Sequence, residues 1–381
     1  MKYLNTILCT VLCVIFLSCG SGSVDEGDLQ QNPELRQTVL TIVDSIGVEM
    51  GDSCYIFGSI EGLGYTQDDN IAVLDRISAD IRVFSHDGEY MWRAGGRGGG
   101  PGEMHNPLSL FLFPDGRMGA LDPWRSGLQI YSRDGEYQGI AMDISNNVHI
   151  YPETVNDSSF VSLKTEFIIE DGAAPQIAVF VALFEMSAEP EITYWREEME
   201  ADFSTAADLA QKYLLAISIA VDTLNNIVYL TPYSGTDYVI ERYSLDGERL
   251  TDLELEIETV PLTEEEIHIA EEFVRQRLSN LEGGEPQYNV HVTDPITHRL
   301  PVIDLEIDSC GNLWARRGTE DEPYFDIWSA EGELIGNAVM AGAGSESRSW
   351  EFELCSNRIL VYDTDPDLYQ KIYIIDIDDL N

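Results

Sequence analysis

The chain has 381 residues, with 68 acidic against 22 basic side chains and a formal charge of −46. Its 44% hydrophobic and 10% aromatic content is enough for a sizeable core, which excludes a disordered acidic tail protein. The charge repels polyanions and no basic patch offsets it, so a nucleic-acid partner is excluded as well. Lysine occurs only at Lys2, Lys164, Lys212 and Lys371, and the acids are spread over the whole chain. Such a carpet of carboxylates suits a protein held soluble in high salt, where a Debye length of about 3 Å at 1 M weakens self-repulsion.

The N-terminus reads as an address. Met1-Lys2 gives a positive start, and the apolar stretch 4–17 is shorter than the about 20 residues that span a bilayer. It fits the core of a signal peptide. The run ends in Phe16-Leu17-Ser18-Cys19-Gly20, which resembles a bacterial lipobox. That resemblance implies that residues 1–18 are a lipoprotein signal peptide and that Cys19 is diacylated on sulfur. The protein is then expected in the bacterial cell envelope, its membrane partner reached through the N-terminal lipid. Residues 19–36, with Gly20-Ser21-Gly22-Ser23 and the acidic run 24–28, read as a flexible tether. Beyond it, Cys54, Cys310 and Cys355 are odd in number and form no CxxC pair. They allow one disulfide or three buried thiols, but no zinc ribbon.

From residue 37 to 381 the pattern is that of strands. The first, 39–46, stands apart. Residues 70–94, 116–142, 226–255 and 311–339 then repeat one design: an apolar strand, a polar loop, a second strand, a tight turn and a third strand. The turns are Ser85-His86-Asp87-Gly88, Ser132-Arg133-Asp134-Gly135, Ser244-Leu245-Asp246-Gly247 and Ser329-Ala330-Glu331-Gly332. Acid-Gly between alternating strands is a hairpin signature, because glycine accepts the positive φ such turns demand. The spacing of Gly88 and Gly135 falls in the range of propeller blades, about 40–50 residues. Upstream runs at 59–66, 108–113, 216–221 and 302–307 are the expected innermost strands. Two weaker units complete the count. Residues 147–195 hold strand-like runs at 160–164 and 177–184 with a degenerate turn, and 350–377 hold only three strands. If 39–46 completes the last unit, no sheet edge remains between the two ends of the ring. The expectation is an all-β, six-bladed β-propeller.

The linker between the first two units reads Arg93-Ala94-Gly95-Gly96-Arg97-Gly98-Gly99-Gly100-Pro101-Gly102-Glu103-Met104-His105-Asn106-Pro107. This resembles the inter-blade consensus of NHL-type six-bladed β-propellers. The chain from residue 35 onward resembles the bacterial six-bladed propeller lipoproteins of that group. The likeness implies a central channel, in which some enzymes of similar fold bind zinc or calcium.

One segment is not blade. Thr263-Glu264-Glu265-Glu266 followed by Ile267, Ile269-Ala270, Phe273-Val274 and Leu278 predicts a helix with a Thr N-cap, ended by Glu282-Gly283-Gly284. It belongs to an insertion, 258–300, between blades 4 and 5, which covers strand ends or serves as a lid or docking surface.

Candidate chemistry is sparse. His105 and His298 precede inner strands and His149 lies in or beside one; three imidazoles and a water would make a zinc site. Their differing offsets favour satisfied or solvated histidines instead. Asp363-Thr364-Asp365-Pro366-Asp367 and Asp376-Ile377-Asp378-Asp379 invite calcium but miss the EF-hand template. The 95–102 run is no phosphate loop, since neither Lys-Ser nor a helix follows it, and no GxSxG elbow exists. Trp124, in a loop between strands, is a candidate for stacking on a carbohydrate. The expectation is therefore a tethered scaffold that binds a ligand or protein without a cofactor. The alternative is a metal-dependent hydrolase or lyase using the channel.

Overall fold

A computed structural model describes residues 35–125, 127–143, 149–168, 175–187, 189–200, 212, 216–282, 296–355, 358–364 and 368–377. The signal segment, Cys19, nearly all of the tether and the acids 365–367 and 378–379 lie outside the described residues. The compact unit begins at Arg36, one residue before the expected boundary.

Two short strands open the chain, β1 (Arg36–Val39) and β2 (Ile42–Ile46). Blade 1 is β3 (Ile60–Tyr65), β4 (Ile71–Asp75), β5 (Asp80–Phe84) and β6 (Tyr90–Gly95). Blade 2 is β7 (Ser109–Leu112), β8 (Met118–Asp122), β9 (Gly127–Tyr131) and β10 (Tyr137–Asp143). Blade 3 is β11 (His149–Thr154), β12 (Ser159–Ile168), β13 (Gln176–Glu185) and β14 (Pro190–Glu200). Blade 4 is β15 (Ile219–Asp222), β16 (Ile227–Leu230), β17 (Tyr238–Ser244) and β18 (Leu253–Leu255). After the helix α1 (Glu264–Glu282) comes blade 5: β19 (Val302–Ile307), β20 (Leu313–Arg317), β21 (Tyr324–Trp328) and β22 (Leu334–Val339). Blade 6 is β23 (Trp350–Cys355), β24 (Arg358–Asp363) and β25 (Ile372–Asp376), with β2 as its fourth strand. Within every blade the pairs are antiparallel. The ring therefore has six blades, and α1 falls between the fourth and fifth in chain order.

The four acid-Gly turns share one geometry. Gly88, Gly135, Gly247 and Gly332 have φ between 80° and 92°, where a side chain would be strained. In each, the serine hydroxyl accepts the N–H of the glutamate that follows the glycine, at 3.1 to 3.4 Å. The Gly-rich linker is equally determined. Gly102 has φ +73°, and a Cβ there would sit 2.8 Å from the Tyr137 side chain. The Arg125 guanidinium holds the carbonyls of Gly99 and Gly100, and the Tyr131 hydroxyl donates to that of Gly102.

Six hydrophobic clusters fill the six spaces between neighbouring blades. Phe111 and Met142 meet Phe160, Phe180 and Phe184 between blades 2 and 3, and Trp314 and Phe325 meet Phe352 and Ile359 between blades 5 and 6. Ring closure depends on the same packing between blades 6 and 1, where Ile46, Ile372 and Ile374 lie against Ile60 and Phe84. The single strand expected at 39–46 is in fact two. β2 pairs antiparallel with β25 and completes blade 6 as expected, whereas β1 joins blade 5, parallel to β22. The chain changes sheet at Leu40, whose side chain is buried between the two blades. Blade 3 is irregular in turn but not in strand number: all four strands are present, with β12, β13 and β14 spanning 10, 10 and 11 residues.

Candidate functional site: an acid-lined channel

The innermost strands β3, β7, β11, β15, β19 and β23 surround a central cavity of about 1620 Å³. Strand side chains alternate between faces, so acids two apart on an inner strand share the channel side. Asp304 and Glu306 do so on β19, with buried Leu305 between them, and Glu351 and Glu353 do so on β23 around Phe352. Glu61 on β3 and Glu153 on β11 reach the same space.

Their environments differ. Arg76 neutralises Glu61 at 2.7 Å. Glu351 accepts the Tyr362 hydroxyl, Asp304 accepts the Leu305 N–H at 3.0 Å, and Glu306 accepts the Leu354 N–H at 3.2 Å. The carboxyls of Glu153 and Glu353 accept no hydrogen bond from a described residue. Space for Glu353 comes from Gly64, where a Cβ would lie 3.2 Å from its Oε1. Burial away from bulk water, reinforced by the charge of Asp304, pushes the Glu153 carboxyl up to about 8. Burial first, and neighbouring carboxylates second, hold Glu306 and Glu353 well above the ordinary range. Asp304 is also raised by burial, against the pull of the nearby Arg316 guanidinium. Arg316 lies buried at the edge of the cavity, where its two terminal nitrogens donate to the carbonyls of Trp350 and Ser347. The channel is thus a recess of carboxyls whose neutral form is favoured by their removal from water and by one another's charge.

The residues expected from sequence do not converge there. His105 is exposed, and its backbone N–H, not its ring, is held at 2.5 Å by the buried Asp122 carboxylate. His149 is fully buried inside blade 3, where its Nδ1 meets the Ser162 hydroxyl at 2.7 Å and its ring stands edge-on to Phe160 and Phe184. Of the three, only His298 lines the cavity, and its Nδ1 lies 3.0 Å from the Thr297 hydroxyl. The zinc site considered for these histidines is therefore not assembled. Among the described residues, no three His, Cys, Asp or Glu side chains form a group placed to hold a metal ion. Trp124 is half-buried in a short turn tied to Asp122 and takes no part in the cavity. Asp363 and Asp376 are engaged in place, the first by Ser349 and Trp350, the second by Arg358. Cys54 is half-buried and Cys310 exposed, both as free thiols, so Cys310 departs from the buried expectation. Asp304 and Glu306 alternate on 302–307, a run expected to be innermost, whereas Glu153, Glu351 and Glu353 come from the two weaker units, for which the sequence assigned no inner strand range.

Comparison with a known family agrees on architecture over the first part of the chain. Residues 27–164 match a family described as 6-bladed beta-propeller. The chain is a six-bladed β-propeller. The match is to such propellers in general, and the NHL-type likeness rests on the linker run alone. No curated protein matches the sequence. Among solved structures, a putative exported protein from Bacteroides fragilis is similar, with 11% identity and a TM-score of 0.47 over 89% of this chain and 98% of that one. Regucalcin, a calcium-binding protein from Agrobacterium tumefaciens, has 10% identity and a TM-score of 0.42 over 89% and 96%. Virginiamycin B lyase from Staphylococcus aureus, crystallised with quinupristin, has 11% identity and a TM-score of 0.40 over 87% and 98%. Likenesses this distant say nothing of what this chain binds.

Proposed function

We propose that the protein is an envelope lipoprotein, anchored through Cys19, whose propeller binds a small ligand rich in N–H or O–H donors in its central channel. The observation that carries the binding reading is the pair Glu153 and Glu353, carboxyls in a large cavity with no donor among the described residues. These half-buried carboxyls meet no donor from a described residue, and a ligand that brings donors can take the place of solvent on them. The anchor rests on the lipobox-like run before Cys19, and the abundance of acids supports a high-salt setting.

Two experiments test the two halves. Thermal shifts with spermidine, arginine amide and glucosamine should show a saturable rise with at least one probe, lost when Glu153→Gln and Glu353→Gln are combined. No rise with any probe, or the same rise in the variant, overturns the channel reading. Metabolic labelling with a fatty-acid analogue should mark the wild type but not Cys19→Ala, which should also leave the membrane fraction. Equal labelling of both overturns the anchor.

A further inference from the structure

We propose that α1 is a lid over the channel, held shut by a four-membered charge latch of Glu266, Arg299, Asp321 and Arg348, and that releasing the latch opens the cavity. The inference rests on the channel as the binding site and adds how that site is reached. α1 and its flanks supply part of the cavity wall through Glu265, Ile269 and Glu272. Yet none of the described side chains of α1 is buried, and Ile269 is 60% exposed. The described side chains of α1 gain little from hydrophobic contact, and its first turn is held by charged and hydrogen-bonded contacts instead.

The base of the insertion is fixed by backbone. Leu262 N–H donates to the Thr297 carbonyl at 2.9 Å and Arg299 N–H to the Val260 carbonyl at 2.8 Å, around a bridge between Pro261 and His298. The segment thus leaves and returns at one point, which is the geometry of a hinge. One turn beyond it, Glu266 uses its two oxygens for different ends. Oε2 closes a capping box with the Thr263 N–H and hydroxyl, both at 2.8 Å. Oε1 accepts Arg299 Nε at 2.9 Å and also Arg348 Nη1. Asp321 Oδ1 completes the square, accepting Arg299 Nη1 at 3.0 Å and Arg348 Nη2. Arg299 comes from the loop before β19, Asp321 from the loop after β20, and Arg348 from the turn before β23. The latch therefore fixes the direction of the helix against blades 5 and 6. Because Asp321 and Arg348 are partly exposed, salt weakens these pairs while leaving the propeller's apolar packing intact.

Cavity access is read directly by carbodiimide labelling of Glu153 and Glu353, normalised to the exposed Glu197 on β14 and quantified by mass spectrometry. Labelling of both channel carboxyls should rise about fivefold in Glu266→Gln and in Arg348→Gln, with the propeller's melting temperature nearly unchanged. The wild type alone provides a second arm: raising sodium chloride from about 0.1 M to about 2 M should produce a similar rise relative to Glu197. Unchanged labelling in both arms overturns the lid, as does a rise that appears only when the propeller itself melts. No ligand enters this test, so it succeeds or fails separately from the probe-induced thermal shifts.

Discussion

Glu153 faces the channel from the innermost strand of blade 3, and its raised pKa has a consequence for folding. A carboxyl whose folded pKa stands above its unfolded value binds more protons folded than unfolded. Its contribution to stability is therefore complete below about 4.5 and is lost as the pH climbs through about 8. Glu306, Glu353 and Asp304 act with the same sign. His149 acts with the opposite one. Burial, helped by the charge of Lys164, lowers it from 6.5 to about 3, so its contribution is complete above 6.5 and is lost as the pH falls through about 3. The wild-type profile mixes both, and the difference between wild type and the Glu153→Gln, Glu353→Gln pair isolates the carboxyls. The pair should match the wild type near pH 4.5 and melt about 1–2 °C higher near pH 8, the shift that about 1 kcal/mol produces in a domain of this size. Parallel profiles across that range would show that these carboxyls are not strained by ionisation. The glutamates themselves were visible in the sequence, but their meeting was not. Residues 153, 306 and 353 belong to three blades, and only the closed ring brings them to one recess.

At the scale of elements, the N-terminal strands decide whether the ring stays closed. Leu40 and Ile46 are 2% and 3% exposed, whereas Val39 and Val43 are 63% and 53% exposed. Two buried side chains of this size are worth about 3–6 kcal/mol together, an upper bound if the unfolded chain is already compact. Loss of β2 also strips the ladder partner from β25 and exposes its edge. Removing residues 20–34 should leave the melting temperature nearly unchanged, whereas removing 20–46 should lower it by on the order of 10 °C. Equal melts of the two truncations would mean that β2 closes nothing. The sequence marks this segment as strand through its apolar residues, and the need for a fourth strand in blade 6 gives its partner. It does not mark the change of sheet at Leu40, because a parallel partner in another blade leaves no local turn signal. The four Ser-x-acid-Gly turns are the opposite case: serine, glycine and the following glutamate specify each hairpin locally, and the expected strand limits there are met within a few residues. Blade 3 lacks such a turn, which is why its long strands were only partly read.

For the molecule as a whole, the repeat was enough to give six blades, since each unit buries its faces only against its neighbours and the apolar runs must therefore recur. The lid's latch was beyond reach, because Arg299, Asp321 and Arg348 come from separate loops and nothing in their local sequence names a partner. The charge, by contrast, is a global property written in composition, and it sets the last prediction. With 68 acids against 22 bases, repulsion opposes the compact state over the whole surface. Salt acts on two opposing terms. It weakens exposed pairs such as Arg133 with Asp68 and Arg249 with Asp252, each worth only about 0–1 kcal/mol. It also screens the far more numerous like-charge contacts, as the Debye length falls from about 10 Å at 0.1 M to about 3 Å at 1 M. The second term should win because unpaired acids outnumber every available cation. The melting temperature should accordingly rise by several degrees, roughly 1–2 °C for each kcal/mol gained, between low and molar sodium chloride. Sucrose at matched osmolarity separates screening from general exclusion, which stabilises any compact protein. A melting temperature that stays flat or falls with salt, or that rises equally with sucrose, would remove the case for a fold adapted to high salt.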